Sequence, residues 1–126
     1  QKESCFNFDL IDEWHKLLQN TEIICGDWKT CPTGDFTFID PPYRDSFTTY
    51  GTGWGDNECD ELMRLAQNID GKVFLCNRDD GSDFFEKRLG KYQIHRFDYK
   101  YTAGRRKKTA TGFEAKPAVE ILMSKD

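Results

Sequence analysis

The stretch Phe36-Thr37-Phe38-Ile39-Asp40-Pro41-Pro42-Tyr43 joins an apolar run to an acid, two prolines and an aromatic. The run reads as a buried strand. The prolines must end it, because neither can donate to a sheet ladder, and they hold the backbone stiff and extended just past the sheet edge. Asp40 and Tyr43 are therefore expected on a rigid turn at the carboxyl end of a central strand, where open α/β sheets bind their ligands.

On the amino-terminal side, Leu10, Ile11, Trp14, Leu17 and Leu18 form one helical stripe between Phe8 and Gln19, with Asn7 or Asp9 placed to cap it. Glu22 to Cys25 is a short strand candidate closed by Gly26-Asp27-Trp28, and Cys31-Pro32-Thr33-Gly34 is a turn. On the other side, Arg44 to Gly55 is a loop rich in Gly, Thr and aromatics. Asp56 or Asn57 caps a second helix whose stripe is Cys59, Leu62, Met63, Ala66 and Ile69, ended by Asp70-Gly71. Lys72 to Cys76 is another buried strand, followed by a polar stretch from Asn77 to Gly81. Ser82 caps a short helix carrying Phe84, Phe85 and Leu89, stopped by Gly90. Tyr92 to Tyr101 is a longer strand, Thr102 to Lys116 a basic hairpin loop, and Ala118 to Met123 the last strand, preceded by Pro117. Strand–helix alternation predicts a largely parallel α/β sheet. The last two strands lack a helix between them and are expected to pair as an antiparallel hairpin at one edge.

At 126 residues the chain has the size of a single domain. Its 37% apolar content, rich in aromatics, suffices for a core. No apolar run approaches a membrane span and no signal peptide is visible, which points to a cytoplasmic protein without a membrane partner. The net charge of −4 argues against a general attraction to nucleic acid, so any such contact must come from a local patch. The five cysteines are odd in number and none are spaced Cys-x-x-Cys; with only His15 and His95 beside them, reduced thiols are expected and a metal site is not. The chain starts at Gln1 rather than Met, as a processed, trimmed or fragmentary chain would.

Taken as structure alone, Asp-Pro-Pro-Tyr is a proline-terminated strand with a tyrosine packed nearby. Taken as chemistry, it suits methyl transfer to the exocyclic amine of a base. That amine is a poor nucleophile because its lone pair is delocalised into the ring. A carboxylate and an adjacent backbone carbonyl can accept its two hydrogens, draw it toward tetrahedral geometry and disperse the developing positive charge. Proline fixes where the carbonyl points. The aromatic ring stacks on the base, which must leave the duplex to reach such a pocket.

From about Glu22 onward the chain resembles the Dam-like DNA adenine methyltransferases, with phage-type members closest in character. Asp40-Pro41-Pro42-Tyr43 is similar to the family's catalytic motif. Cys25-Gly26-Asp27-Trp28 is similar to the segment that holds the adenine of S-adenosylmethionine. Val73-Phe74-Leu75-Cys76-Asn77 is similar to a strand ending in Ser-Asn in many members, with Cys76 in place of the serine. Tyr101 to Lys108 and Val119-Glu120-Ile121-Leu122 are similar to the family's basic hairpin and closing strand. The resemblance implies a partial Rossmann-like methyltransferase sheet. In it Asp40 and the Pro41 carbonyl accept from the target amine, and Tyr43 stacks on the flipped adenine. Asp27 and Trp28 hold the cofactor adenine, and Asn77 shapes the pocket floor. Relatives acting on cytosine more often carry serine at the Asp40 position, and those modifying protein glutamine carry asparagine, so the acid favours adenine. The setting expected is DNA adenine methylation of the restriction-modification or phage kind.

Lys100, Arg105, Arg106, Lys107, Lys108 and Lys116 form the one basic concentration. It reads either as a solvated loop or as a phosphate clamp beside the pocket, with Tyr99 and Tyr101 close enough in sequence to stack on a base. Gly51-Thr52-Gly53-Trp54-Gly55 lies too far past its strand for a cofactor-cradling loop and reads as a lid or an ordinary surface loop. The family's aromatic-x-Gly-x-Gly loop, its ribose-binding acid and its target-recognition insert have no counterpart here. The resemblance thus implies a catalytic half: a fragment, one part of a split enzyme needing a second polypeptide, or a product that binds nucleic acid or a partner without independent catalysis. Loss of the missing strands is expected to leave apolar edges exposed.

Overall fold

A computed structural model of the chain describes residues 8–44, 54–101, 107–109, 112–114 and 116–125, with the backbone alone for 101, 107–109, 112–114 and 116. The chain divides into two units, Gln1–Cys31 and Pro32–Asp126. In the first, Phe8–Leu10 is a 3-10 turn that leads into α1, Ile11–Leu18. The helix closes through Gln19 N–H donating to the His15 carbonyl at 3.2 Å and Thr21 Oγ1 donating to the Leu17 carbonyl at 3.0 Å. Glu22–Cys25, expected as a strand, is irregular. Ile23 and Ile24 are exposed, and an extended apolar segment with no ladder to join gains nothing from strand geometry. Asp27 starts a second 3-10 turn, Trp28–Thr30, its Oδ1 accepting from Lys29 N–H at 3.0 Å.

The second unit holds β1 (Phe36–Ile39), α2 (Asp56–Asn68), β2 (Lys72–Asp79), α3 (Phe84–Arg88) and β3 (Gln93–Tyr101), then β4 (Lys107–Thr109), β5 (Gly112–Glu114) and β6 (Lys116–Lys125). Gly55 N–H donates to Glu58 Oε2 at 2.8 Å at the head of α2, and Phe84 N–H to Ser82 Oγ at 3.3 Å at the head of α3, both side chains satisfying donors that a helix start leaves open. β1, β2, β6 and β3 form one sheet in that order, and β4 pairs with β5 separately. β1 and β2 are parallel; β6 is antiparallel to both β2 and β3. The closing strands do form an antiparallel pair. However, β6 rather than β3 joins the parallel pair, so the sheet is mixed instead of largely parallel. The residues explain the choice. β6 carries Ile121, Leu122 and Met123 on both faces and suits an interior strand, whereas β3 carries His95, Arg96, Asp98 and Lys100 and suits an edge. Pro117 lies inside β6, opposite Lys100 of β3 and beyond the last β2 pairing at Val119, so it is bordered by one ladder instead of two.

Alternation splits the sheet into two faces. Val73, Leu75 and Asn77 of β2 and Ile121 and Met123 of β6 are buried, as are Cys59, Leu62, Met63, Ala66 and Ile69 of the α2 segment and Phe84, Phe85, Leu89 and Tyr92 around α3. Tyr92 completes this layer by donating its hydroxyl to the Ala66 carbonyl at 2.9 Å. The opposite face carries Phe36, Phe38, Phe74, Leu122, Phe97 and Tyr99, of which Phe36 and Phe38 are 61% and 57% exposed. Among the described residues no helix is long and apolar enough to cross a membrane.

Gly71 ties the start of β2 to the start of β1. Its φ is +96°, and a Cβ there would sit 2.6 Å from the Asp35 carbonyl oxygen, which accepts from Lys72 N–H at 2.9 Å. Gly71→Ala therefore meets both left-handed strain and a backbone clash. It is expected to destabilise the fold by about 2 kcal/mol or more, read as a lower midpoint in urea unfolding at unchanged slope.

Candidate functional site

The site grows from the end of β1. Ile39 pairs with Leu75 on the helix-covered face, so the next residues in register, Asp40 and Cys76, share the open face. Beyond them, Pro41, Pro42 and Tyr43 run half-buried over the strand ends, while Asp40 is exposed. The turn is fastened from the neighbouring strand. Arg44 N–H donates to Asn77 Oδ1 at 3.0 Å, and the same oxygen accepts from Arg78 N–H at 2.9 Å. Asn77 is 1% exposed, the one buried polar side chain of the described core. It lies within β2, which runs on to Asp79 instead of stopping at Cys76, and its oxygen serves the backbone that follows Tyr43.

The site is acidic. Burial, then the negative charges of Glu120 and Asp40 and the neighbouring Cys76, push the Tyr43 hydroxyl up to about 12. Burial, then Asp40 and Glu120, push the Cys76 thiol up as well. Glu120 pairs with Arg78 on one side and Phe97 on the other, on the same open face. Asp40 and Glu120 thus set a negative field around Tyr43 and Cys76, with Arg78 opposite Glu120 on the same face. Because the folded value of Tyr43 lies above its ordinary 10, its contribution to stability is complete below pH 10 and is lost as pH rises through about 12. The absorbance difference between wild type and Tyr43→Phe should accordingly show a single phenol titrating near pH 12 in the folded protein; a transition at 10 would refute the arrangement.

Of the other predicted residues, Tyr99 lies on the open face of β3 and is half exposed. With Asp79, Asp98, Lys100, Pro117, Ala118 and Val119 it lines a cleft of about 650 Å³; Asp40 and Tyr43 are not part of its lining. Tyr101 ends β3 opposite Lys116, and Lys107 and Lys108 lie in β4 opposite Glu114 and Phe113. Arg105, Arg106 and the Gly51-Thr52-Gly53 part of the glycine-rich loop lie outside the described residues. Asp27 and Trp28 belong to the first unit. There the Asp27 carboxylate caps a turn through one oxygen, and Trp28 is half-buried with the Lys29 ammonium 5.5 Å from its ring. Among the described residues no group of His, Cys, Asp and Glu is placed to hold a metal ion.

Sequence reasoning missed Arg44, and it named Cys76 and Glu120 within motifs without giving either a place beside Tyr43. Glu120 carries a readable signal, an acid inside the apolar run Val119 to Met123. Arg44 carries none, since nothing local marks an arginine after a turn as fixed. In comparisons with family models, with curated proteins and with solved structures, nothing matches this chain.

Proposed function

We propose that the chain is the base-acceptor portion of a DNA adenine methyltransferase. The observation that carries the reading is the placement of Asp40 and Tyr43. An exposed carboxylate and a half-buried ring flank a rigid Pro-Pro turn at the carboxyl end of a parallel strand pair, and buried Asn77 clamps the turn. Asp40 accepts one hydrogen of the adenine amine and the Pro41 carbonyl the other, which frees the nitrogen lone pair and disperses charge as it becomes positive. Tyr43, held as a neutral phenol, stacks on the extruded base. Asp27 and Trp28 hold the adenine of S-adenosylmethionine, which supplies the methyl group. Tyr99, Tyr101, Arg105, Arg106, Lys107 and Lys108 line the approach of the DNA, by stacking and phosphate contact.

A second reading places the same site in one subunit of a split enzyme, binding nucleic acid or a partner chain without independent catalysis. The exposed Phe36 and Phe38 on the outermost strand of the sheet favour it. Isothermal titration with S-adenosylmethionine separates the two. One-to-one heat from this chain, weakened about tenfold or more in Asp27→Ala, supports the first reading. Heat only after a second polypeptide is supplied supports the other, and no heat under either condition overturns both.

A further inference from the structure

The residue that follows Tyr43 is fixed more firmly than any reading of the sequence predicts. Arg44 donates through Nε to Asp56 Oδ1 at 2.8 Å, through one terminal nitrogen to Asp56 Oδ2 at 3.3 Å and through the other to Asp80. Its backbone N–H is held by Asn77. Its guanidinium lies over the Phe84 ring at 4.0 Å from the centroid, and the Arg88 guanidinium lies 3.7 Å from the same centroid. Two cations do not share one face of a ring at such distances, so Phe84 is sandwiched between them. Arg88 is secured by Asp60 and by the Phe84 carbonyl. The Arg44 side chain is 16% exposed and Asp80 17%, so that ion pair is sheltered from solvent, whereas Asp56 is 59% exposed and its pair lies at the surface. The bond from Arg44, assisted by its charge, holds the Asp56 carboxyl below the usual carboxylate range.

The side-chain contacts come from three elements, the first residue of α2, the loop after β2 and the first residue of α3, and the backbone contact from β2. α2 and α3 bury their apolar side chains in the layer over the helix-covered face, whereas Asp40 and Cys76 lie on the open one. We propose that Arg44 is a positioning residue for the base-acceptor turn: it transmits the rigidity of the helix layer to Tyr43 and Asp40 without touching the substrate. Each of its three nitrogens already donates to Asp56 or Asp80, so the guanidinium is engaged within the protein rather than extended toward solvent. Lysine cannot substitute, because it offers neither a two-pronged bond to Asp56 nor a flat face for Phe84. This inference rests on the methyltransferase reading for its catalytic consequence but not for its structural one.

The test uses the full chain, supplied with S-adenosylmethionine and unmethylated DNA, and two variants, Arg44→Lys and Arg44→Met. Circular dichroism first confirms that each folds; Arg44→Lys keeps the charge and most of the aliphatic stem, and serves if Arg44→Met does not fold. In both, hydrogen exchange at the residue-44 amide is expected to accelerate at least about tenfold, and the Tyr43 ring resonances to shift. Methyl transfer at saturating DNA and cofactor is expected to fall about 30-fold or more, with both dissociation constants within about threefold of wild type. Unchanged exchange and Tyr43 resonances would overturn the proposal. So would an intact transfer rate with weakened DNA binding and a salt slope smaller by about one, the mark of a lost phosphate contact. If wild type transfers no methyl group to adenine, the failure belongs to the functional reading, and the exchange and resonance measurements still decide the role of Arg44.

Discussion

Replacing Asp40 by alanine is expected to lower the rate of N6-adenine methylation by about 10²–10³-fold, with DNA and S-adenosylmethionine affinities moving no more than about threefold. The size follows from what the carboxylate does. Charge develops on the amine nitrogen only as the methyl group arrives, so an acceptor placed against that nitrogen stabilises the transition state far more than the bound base. Losing one preorganised partner of this kind typically costs about 2.7–4 kcal/mol of barrier. Asp40 is well placed for it: exposed on the open face and next to a turn whose backbone is fixed at Pro41, Pro42 and Arg44. Asp40→Asn keeps an oxygen acceptor but removes the charge and adds a competing donor, so its rate should lie between the two. A parallel loss of affinity would instead mean that Asp40 contributes to ground-state binding.

The second large effect is on stability. Asn77→Leu preserves volume but removes the one oxygen that accepts from both Arg44 N–H and Arg78 N–H, in a residue that is 1% exposed. Each buried donor left without a partner costs about 1–3 kcal/mol, so a loss of about 2–4 kcal/mol is expected, or roughly 10 °C in the midpoint of thermal unfolding. Asn77→Asp keeps the acceptor but introduces a buried charge within a site that already holds Asp40 and Glu120. It should destabilise at neutral pH and recover part of the loss as the medium is acidified and the new carboxyl takes up a proton. A Leu variant within about 0.5 kcal/mol of wild type would show that the turn is held by the prolines and Arg44 without help from Asn77.

The elements of the second unit were legible because their signals are local. Prolines end β1, the stripe from Cys59 to Ile69 makes α2, and the Ser82 hydroxyl takes the Phe84 N–H at the start of α3. But β1, expected as a buried central strand, is the outermost one with Phe36 and Phe38 exposed, because an apolar run does not tell how many neighbours it has. The order of strands was less legible. A hairpin can join a parallel pair through either arm, and the choice of β6 depends on which arm tolerates two neighbours, a property of the assembled sheet. Glu22–Cys25 misled because a short apolar run looks the same whether or not a partner strand exists for it. At the site, Asp40 and Tyr43 were readable from the motif. Their support was not: Asn77 lies 33 positions from Arg44, and Asp80 and Phe84 are comparably remote, so pairing them requires the sheet to be built first.

The exposed aromatic face gives the account its boundary. Phe36 and Phe38 stand beside the acceptor turn on the outermost strand, where a parallel pair is ordinarily covered on both sides. The acceptor chemistry proposed here and an additional covering polypeptide are therefore compatible, and the titration with S-adenosylmethionine tells whether the second is needed. The central claim, that the Asp40–Tyr43 turn serves methyl transfer to adenine, is tested most directly by mass spectrometry of nucleosides. DNA free of N6-methyladenine is incubated with S-adenosylmethionine and the chain, together with any polypeptide that the titration shows to be required. The prediction is N6-methyl-2′-deoxyadenosine that accumulates with wild type and is reduced about 10²–10³-fold with Asp40→Ala. Accumulation of a methylated cytosine instead, or equal N6-methyl-2′-deoxyadenosine from both proteins, would contradict it.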